Sequence, residues 1–510
     1  MPIKIPGTLF TAIAGLALAG AMGVSAAALA QNKNITVVVE DEPENLDSCN
    51  TTRSTMGRIV KVNIIESLVM LDPATASLTP RLATSWQQVS DKVWTFKLRS
   101  GVKFSDGEPF TAAAVVQSFE RTFNSPTITC ETRAKIGGVK FSAKALDPLT
   151  LEITTVNSEP ILPVRMSLVG IESPKTPKDK LVNNPVGTGP YVLDRFNPGK
   201  DLVLKQNPIY WGPKPIVEQA SYIVRKESSV RAAMVKVGEA DLSPNIAVQD
   251  VNDPTTDFSF LNSESTRLRI DSMTPPLNDK RVRLALNYAV DRNAIKGTIM
   301  SKDVLHAAQL VVPSIPGHNH EIDKQIRPYD PAKAKQLLAE AKAAGAPVDK
   351  EITLFCRMAQ FPNAEELMEA LLGYFKAVGF NMKLQCVEPA EHSATQNKPF
   401  TENRLHVFQD QHDNNNGDPT FTVFTKYTCE GRQSTVCDKA IDDLEKRAST
   451  TPLGPERVRL WEQVLKLIYE EAHDVTLYHM VGYSRVGKRL NFKPSIATNS
   501  EVPLEQISFK

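Results

Sequence analysis

Glu351-Ile-Thr-Leu-Phe-Cys356, then Glu365 to Val378, then Asn381-Met-Lys-Leu-Gln-Cys-Val387 is the stretch that decides the fold class. Its first segment is short and rich in β-formers, so it reads as a strand. In the second, Leu367, Leu371, Tyr374 and Val378 recur on one face of a helix, and Gly379 suits its stop. The third is again a strand. Strand, helix and strand of these lengths predict a β-α-β unit with a parallel sheet and a right-handed crossover. Ligands of such sheets sit beyond the carboxyl ends of the strands. Arg357 and Phe361 fall just past one such end.

The same alternation extends outward. Asp279 caps a predicted helix with Val282, Ala285, Leu286, Ala289 and Val290 on one face. Asp330-Pro331 reads as an N-cap followed by a first-turn proline, and Ala334, Leu337, Leu338 and Ala341 give that helix its stripe. Towards the N-terminus, Ile35–Val39 is a β-branched run and Val93–Leu98 alternates as a half-buried strand. Thr111 caps a helix carrying Val115, Phe119 and Phe123. Towards the C-terminus, Glu456–Glu471 is amphipathic and Asp474–Met480 is a strand. Pro185-Val-Gly-Thr-Gly-Pro-Tyr191 lacks the Gly-Lys-Ser/Thr of a phosphate loop and reads as a turn into a strand.

The chain has 510 residues, 41% of them apolar and 23% charged, which excludes disordered, collagen-like and coiled-coil classes. That length exceeds what one hydrophobic core supports, so two or more lobes are expected. Lys and Arg number 59 against 58 Asp and Glu, so nothing in the charge balance suits nucleic acid as a partner. Residues 1–30 have a single charge, Lys4, then an apolar run ending Ala28-Leu29-Ala30. This is the layout of a secretory signal cleaved after Ala30. The expected product is exported, with its basic and acidic residues equal in number. Six cysteines in an exported chain predict disulfides. Cys429 and Cys437 lie close in one loop, Cys356 and Cys386 end two predicted strands, and Cys49 and Cys130 remain for each other. No Cys-x-x-Cys or other tight ligand spacing occurs, so no metal and no cofactor are expected. His318, His320, His406 and His412 read as hydrogen-bonded or exposed side chains.

Four segments carry a family resemblance. They are Pro80–Trp86 with Thr95-Phe-Lys-Leu-Arg-Ser-Gly-Val-Lys-Phe-Ser-Asp-Gly-Glu-Pro-Phe-Thr111, Gly187–Tyr191 with Asn207–Trp211, Lys280–Ile295, and Asn416-Gly-Asp-Pro419. In this order they resemble the family 5 extracellular solute-binding proteins, the binding components of dipeptide, oligopeptide, opine and nickel ABC importers. The resemblance implies an α/β periplasmic binding protein fold of type II, with an extra subdomain inserted in the first of two lobes. The first lobe is expected over 31–268, with the inserted subdomain at about 55–190. The second spans 269–485, and 486–510 returns to the first. It also implies a periplasmic location, a monomer, a small-molecule or short-peptide ligand, and an ABC permease and ATPase complex as partners.

In peptide-binding relatives, the loop before the Gly417-Asp418-Pro419 motif carries an aspartate that pairs with the peptide's α-amine. Here that position is Asn415, and an amide lacks the charge to hold an ammonium. Asp410 or Asp413, with His412 beside them, are the substitutes this loop offers. Arg357 corresponds to an arginine that grips a carboxylate, and Phe361 is placed to stack on ligand. Glu42 and Asn45 follow the first strand, whose end faces the cleft in this fold. A peptide, an opine-like conjugate and a sugar all remain open as solutes. The competing functions are an exported binding module for sensing or chaperoning, and a periplasmic hydrolase. The second lacks any Gly-x-Ser-x-Gly or His-Glu-x-x-His.

Overall fold

The computed structural model describes residues 1, 32–50, 59–72, 75–358, 360–401, 404–414, 417–494 and 501–510. Residues 2–30 of the signal-sequence reading and the Asn415 position fall outside these. Among the described residues, no helix is long and apolar enough to cross a membrane.

One 11-stranded sheet runs through the molecule. At one end Ile352–Arg357 pairs in parallel with Met382–Val387, with Cys356 opposite Cys386. Helix Ala364–Val378 connects them, the β-α-β unit expected from the sequence. Phe375 fills the core where Tyr374 was expected, and Tyr374 packs at the margin against Tyr329. Toward the other end, Asn34–Val39 pairs in parallel with Gln219–Val224, then Asp201–Gln206 and Tyr191–Asn197 follow antiparallel. Ile35, Val37, Val38 and Val39 are all buried, as a β-branched run on a doubly covered strand requires.

The whole sheet is therefore mixed, not parallel throughout. The reason lies at its centre. Two long strands, Asp257–Ile270 and Asp474–Val486, run antiparallel and join the two ends. The second is longer than the Asp474–Met480 strand read from the sequence, because it continues into the other half of the sheet. Their register breaks between Leu261 and Ser265. Such breaks bend a strand and redirect side chains. Here they turn Asn262 and Glu264 toward a cavity.

A separate four-stranded antiparallel sheet is built from Ala83–Ser90, Val93–Leu98, Thr150–Thr155 and Phe141–Asp147. It has its own core around Trp94, Phe96, Phe104 and Phe119. Another core gathers Val37, Tyr191 and Tyr222 with Leu490, Val502, Leu504 and Ile507, so the C-terminal segment packs on the first strand. A third surrounds Leu286, Leu371 and Phe375. The caps read from sequence are in place. Thr111 accepts from Ala114 N at 3.3 Å, Asp279 from Arg281 N at 2.8 Å, and Asp330 from Lys333 N at 2.8 Å. Disulfides join Cys49 to Cys130, Cys356 to Cys386 and Cys429 to Cys437.

Candidate functional site

A cavity of about 490 Å³ lies where the two ends of the sheet meet. Sites that enclose a small molecule span roughly 300–1,000 Å³. One wall is Glu40, just past the first strand, with Ser228, Arg231 and Asn245. The opposite wall is Met300, Ser301, Phe361 and Asn363. The floor is the two crossing strands, through Asn262, Glu264, Met480 and Tyr483. A second cleft, of about 590 Å³, lies between Gly137–Lys140 and Thr420–Phe424. The first is the stronger site, since Glu40 stands at a strand's carboxyl end and both halves of the main sheet line it.

Glu264 is the acidic group of the floor. Its Oε2 accepts from Gln411 Nε2 at 2.6 Å and Asn262 Nδ2 at 3.3 Å. It stands opposite Asp413 in the register of adjoining strands. Burial, and next the negative charge of Asp413, push its carboxyl up to about 7. Asp413 lies 3.7 Å from Lys135 Nζ, which reaches over from the inserted four-stranded unit. Gln360 Nε2 donates to Gln411 Oε1 at 3.1 Å, and Arg357 NH1 donates to Gln360 Oε1 at 3.3 Å. Arg357, Gln360, Gln411 and Glu264 thus form one polar chain from a cation to an anion. At its cationic end, Arg357 Nε is buried without a partner among the described residues. On the other wall, Asn245 Nδ2 donates to Glu40, and Asn245 Oδ1 is likewise without a partner. Buried polar atoms of this kind are rare unless something else meets them.

The residues singled out from sequence divide into two groups. Phe361 lines the cavity, and Arg357 and Asp413 join its polar chain or flank its acid. The others have different work. Glu42 accepts from Gly199 N at 2.7 Å and fastens a hairpin turn. Asn45 accepts from Asp47 N at 3.2 Å and Asn50 Nδ2 at 3.1 Å within its own turn. Asp410 is fully buried, its Oδ2 held by Arg267 at 2.8 Å and its Oδ1 by Lys426 at 2.8 Å. Burial alone raises its carboxyl, yet the two cations outweigh burial and hold it far below the usual carboxylate range. His412 is buried against Thr422 Oγ1 at 2.7 Å, and burial holds its ring neutral. Asp418 caps the helix Pro419–Tyr427 and pairs with Arg457 at 2.8 Å.

Sequence reasoning missed Glu264, Glu40 and Gln411. Only the hint of a polar Asn262-Ser-Glu-Ser run inside a long strand was available. It also missed that the turn after Pro316 brings His318 and His320 together with Asp323.

Comparison with known proteins gives the family and the fold. The model for bacterial extracellular solute-binding proteins, family 5, middle region, matches residues 77–434. The dipeptide-binding protein of Escherichia coli (strain K12) is 27% identical over 513 residues, covering 92% of this chain and 93% of that protein. Among solved structures, HbpA2 from Haemophilus parasuis superposes with a TM-score of 0.81 at 21% identity, over 94% of this chain and 100% of that one. The periplasmic binding protein DppA from Helicobacter pylori, in complex with the peptide STSA, gives 0.73 at 23% identity, over 93% and 98%. The chain belongs to the family 5 extracellular solute-binding proteins: it is a binding protein, not an enzyme, with the type II periplasmic binding protein fold.

Proposed function

We propose that this family 5 binding protein captures a zwitterionic solute, a short peptide or an amino-acid conjugate, and delivers it to an ABC permease and its ATPase. The observation that carries this reading is the raised acid Glu264, paired with Asp413, on the floor of a cavity lined from both ends of the sheet. Two adjoining carboxylates repel each other, and an incoming ammonium relieves that repulsion. Arg357, with its unpartnered Nε, offers a planar partner for a carboxylate at the other end. Phe361 and Tyr483 supply apolar faces between them. The ammonium contact thus moves from the loop at Asn415 to Glu264, with Asp413 beside it. The peptide ligands named for the relatives are consistent with this class. A sugar would leave the acidic pair uncompensated.

The lobes follow the same reading: 31–268 with its inserted unit, 269–485, and the returning tail 486–510. The separate cores and the tail packed on the first strand support that division. Closure works by differential contact. A ligand touching both walls stabilises the closed arrangement more than the open one and shifts the population toward it. Export with cleavage after Ala30, and action as a monomer in the periplasm, complete the proposal.

The test is calorimetry with unblocked and N-acetylated dipeptides on wild type and Glu264→Gln. The unblocked ligand is expected to weaken by about 10- to 100-fold, the loss of one charge-assisted hydrogen bond of roughly 1.5–3 kcal/mol. The acetylated ligand is expected to bind both proteins alike and weakly. Equal binding of the free amine by both proteins overturns the assignment of Glu264.

A further inference from the structure

A cluster of potential metal ligands lies apart from the solute cavity, in the turn that links the Leu305–His306 strand to the helix His320–Asp323. One ring nitrogen each of His318 and His320 and one carboxylate oxygen of Asp323 lie within 4.8 Å of one another. We propose that these three side chains form a site for a divalent transition ion of the imidazole-preferring class, such as zinc or cobalt.

The turn is built to hold them. Gly317 sits at φ +97°, and a Cβ there would come within 2.5 Å of the Trp461 side chain, so only glycine lets the loop lie this close. Asn319 accepts from the backbone N of Glu321 at 3.0 Å and Ile322 at 3.3 Å, which sets the first turn of the helix carrying Asp323. Its own side chain is tied to Glu462 O at 2.9 Å.

His318 is buried, and its Nδ1 faces Val311 O at 2.7 Å. A carbonyl there accepts a hydrogen bond from Nδ1–H and orients the ring, the arrangement usual for a metal-bound imidazole. Nε2 then faces Asp323 Oδ2 at 2.5 Å. Two donors bound to one tetrahedral ion at about 2.0–2.1 Å stand roughly 3.3 Å apart. The Asp323 carboxylate is only half-buried and can swing out by that difference. His320 is exposed and free to rotate in as the third ligand. A second observation points the same way. His479, on the long crossing strand, is fully buried, and its ring lies 5.8 Å from that of His318. Its Nδ1 meets Ser265 Oγ at 2.7 Å, while its Nε2 has no partner among the described residues. A third imidazole, and with it a fourth potential ligand, thus stands behind the trio, on the strand that forms the cavity floor. Three protein ligands leave one position on the ion for water or for His479.

The alternative is a plain hydrogen-bonded cluster of His318, Asp323 and Gln309, whose Nε2 lies 3.3 Å from both His318 Nε2 and Asp323 Oδ1. Cobalt distinguishes the two. Untagged mature protein, stripped with chelator, is titrated with Co²⁺ and followed by visible absorption. One equivalent is expected to give the intense band of a four- or five-coordinate ion, displaced by Zn²⁺. His320→Ala and Asp323→Ala each are expected to weaken binding by at least about tenfold. Because His320 is exposed, His320→Ala should keep the wild-type melting temperature, so a loss there cannot be misfolding. Glu264→Gln is expected to bind Co²⁺ as wild type does. Absence of a band up to millimolar Co²⁺, or a band that survives both alanine variants, overturns the site.

Discussion

Two carboxylates three residues apart on one strand, Asp410 and Asp413, have opposite surroundings. Asp410 is fully buried with Arg267 at 2.8 Å and Lys426 at 2.8 Å, and Arg267 also holds Asp474 at 2.7 Å. Tyr427 closes the network by donating to Asp474. Asp413 faces another acid, Glu264, and its cation is a half-exposed lysine at 3.7 Å. The side-chain period of a strand explains the split: positions an odd number apart face opposite sides of the sheet. One face is packed by the helix Pro419–Tyr427, which brings Lys426 and Tyr427; the other looks toward the cavity. Where charge is matched by built-in cations the strand is structure. Where acid meets acid, the proposed function has the pair receive a cation from the ligand.

The largest effect expected from this contrast is on stability. Asp410→Asn leaves Arg267 and Lys426 buried beside a neutral amide. Removing one partner from a buried ion pair costs about 3–5 kcal/mol. Urea denaturation should show a loss of that order. A loss below about 1 kcal/mol, together with collapse of ligand affinity, would make Asp410 the amine acceptor and reverse the comparison.

The next effect is pH-dependent and belongs to Glu264. Its folded-state carboxyl lies at about 7, above the ordinary 4.5. A raised acid favours the folded state most at low pH. Its contribution is complete below 4.5 and lost as pH rises through about 7. Discounted for partial solvent access, the loss is about 1–2 kcal/mol. Glu264→Gln lacks this titration, so its melting temperature should overtake that of wild type between pH 5 and 8. Ligand affinity runs the other way. An ammonium needs the ionised acid, so wild-type binding should strengthen from pH 5 to 7, below the range of about 7.7–8.0 where the ligand's α-amine loses its own proton, while Glu264→Gln stays flat. Parallel pH profiles for the two proteins would remove Glu264 from the site.

The contrast also marks what the sequence discloses. Local signals were legible: the β-α-β unit, the caps at Thr111, Asp279 and Asp330, and cysteines placed at matching strand ends. The family resemblance supplied the architecture, and Arg357, Phe361 and Asp413 came out at or beside the cavity. Asp410 and Asp413 look alike in Phe408-Gln-Asp-Gln-His-Asp413, because the residues that separate them are distant in the chain. Arg267 is 143 positions from Asp410, and Glu264 is aligned with Asp413 only by strand pairing. Glu264 further depends on the register break after Leu261, which no periodicity announces. His318, His320 and Asp323 are close in sequence, yet they straddle a turn and the start of a helix, so spacing alone does not reveal that their ligand atoms converge.

The smallest expected effect isolates the contact between Lys135 and the acidic pair. Lys135 Nζ stands 3.7 Å from Asp413, with both side chains about one-third exposed, 37% and 33%. An exposed pair of this kind contributes roughly 0–1 kcal/mol. If Lys135 occupies the position of the ligand's ammonium in part, it competes with the ligand, and Lys135→Met should tighten binding of a free dipeptide by about two- to threefold. If Lys135 instead latches the inserted unit to the second half of the molecule, the same change should weaken binding by a similar factor. Salt separates these from a null effect, because the Debye length falls from roughly 30 Å at 0.01 M to roughly 8 Å at 0.15 M, so the field of an exposed lysine weakens as salt is added. Wild-type affinity should move with ionic strength more than that of Lys135→Met in either case. Competition is the expected sign, since Asp413 already faces a second carboxylate whose charge one lysine at this distance cannot cancel.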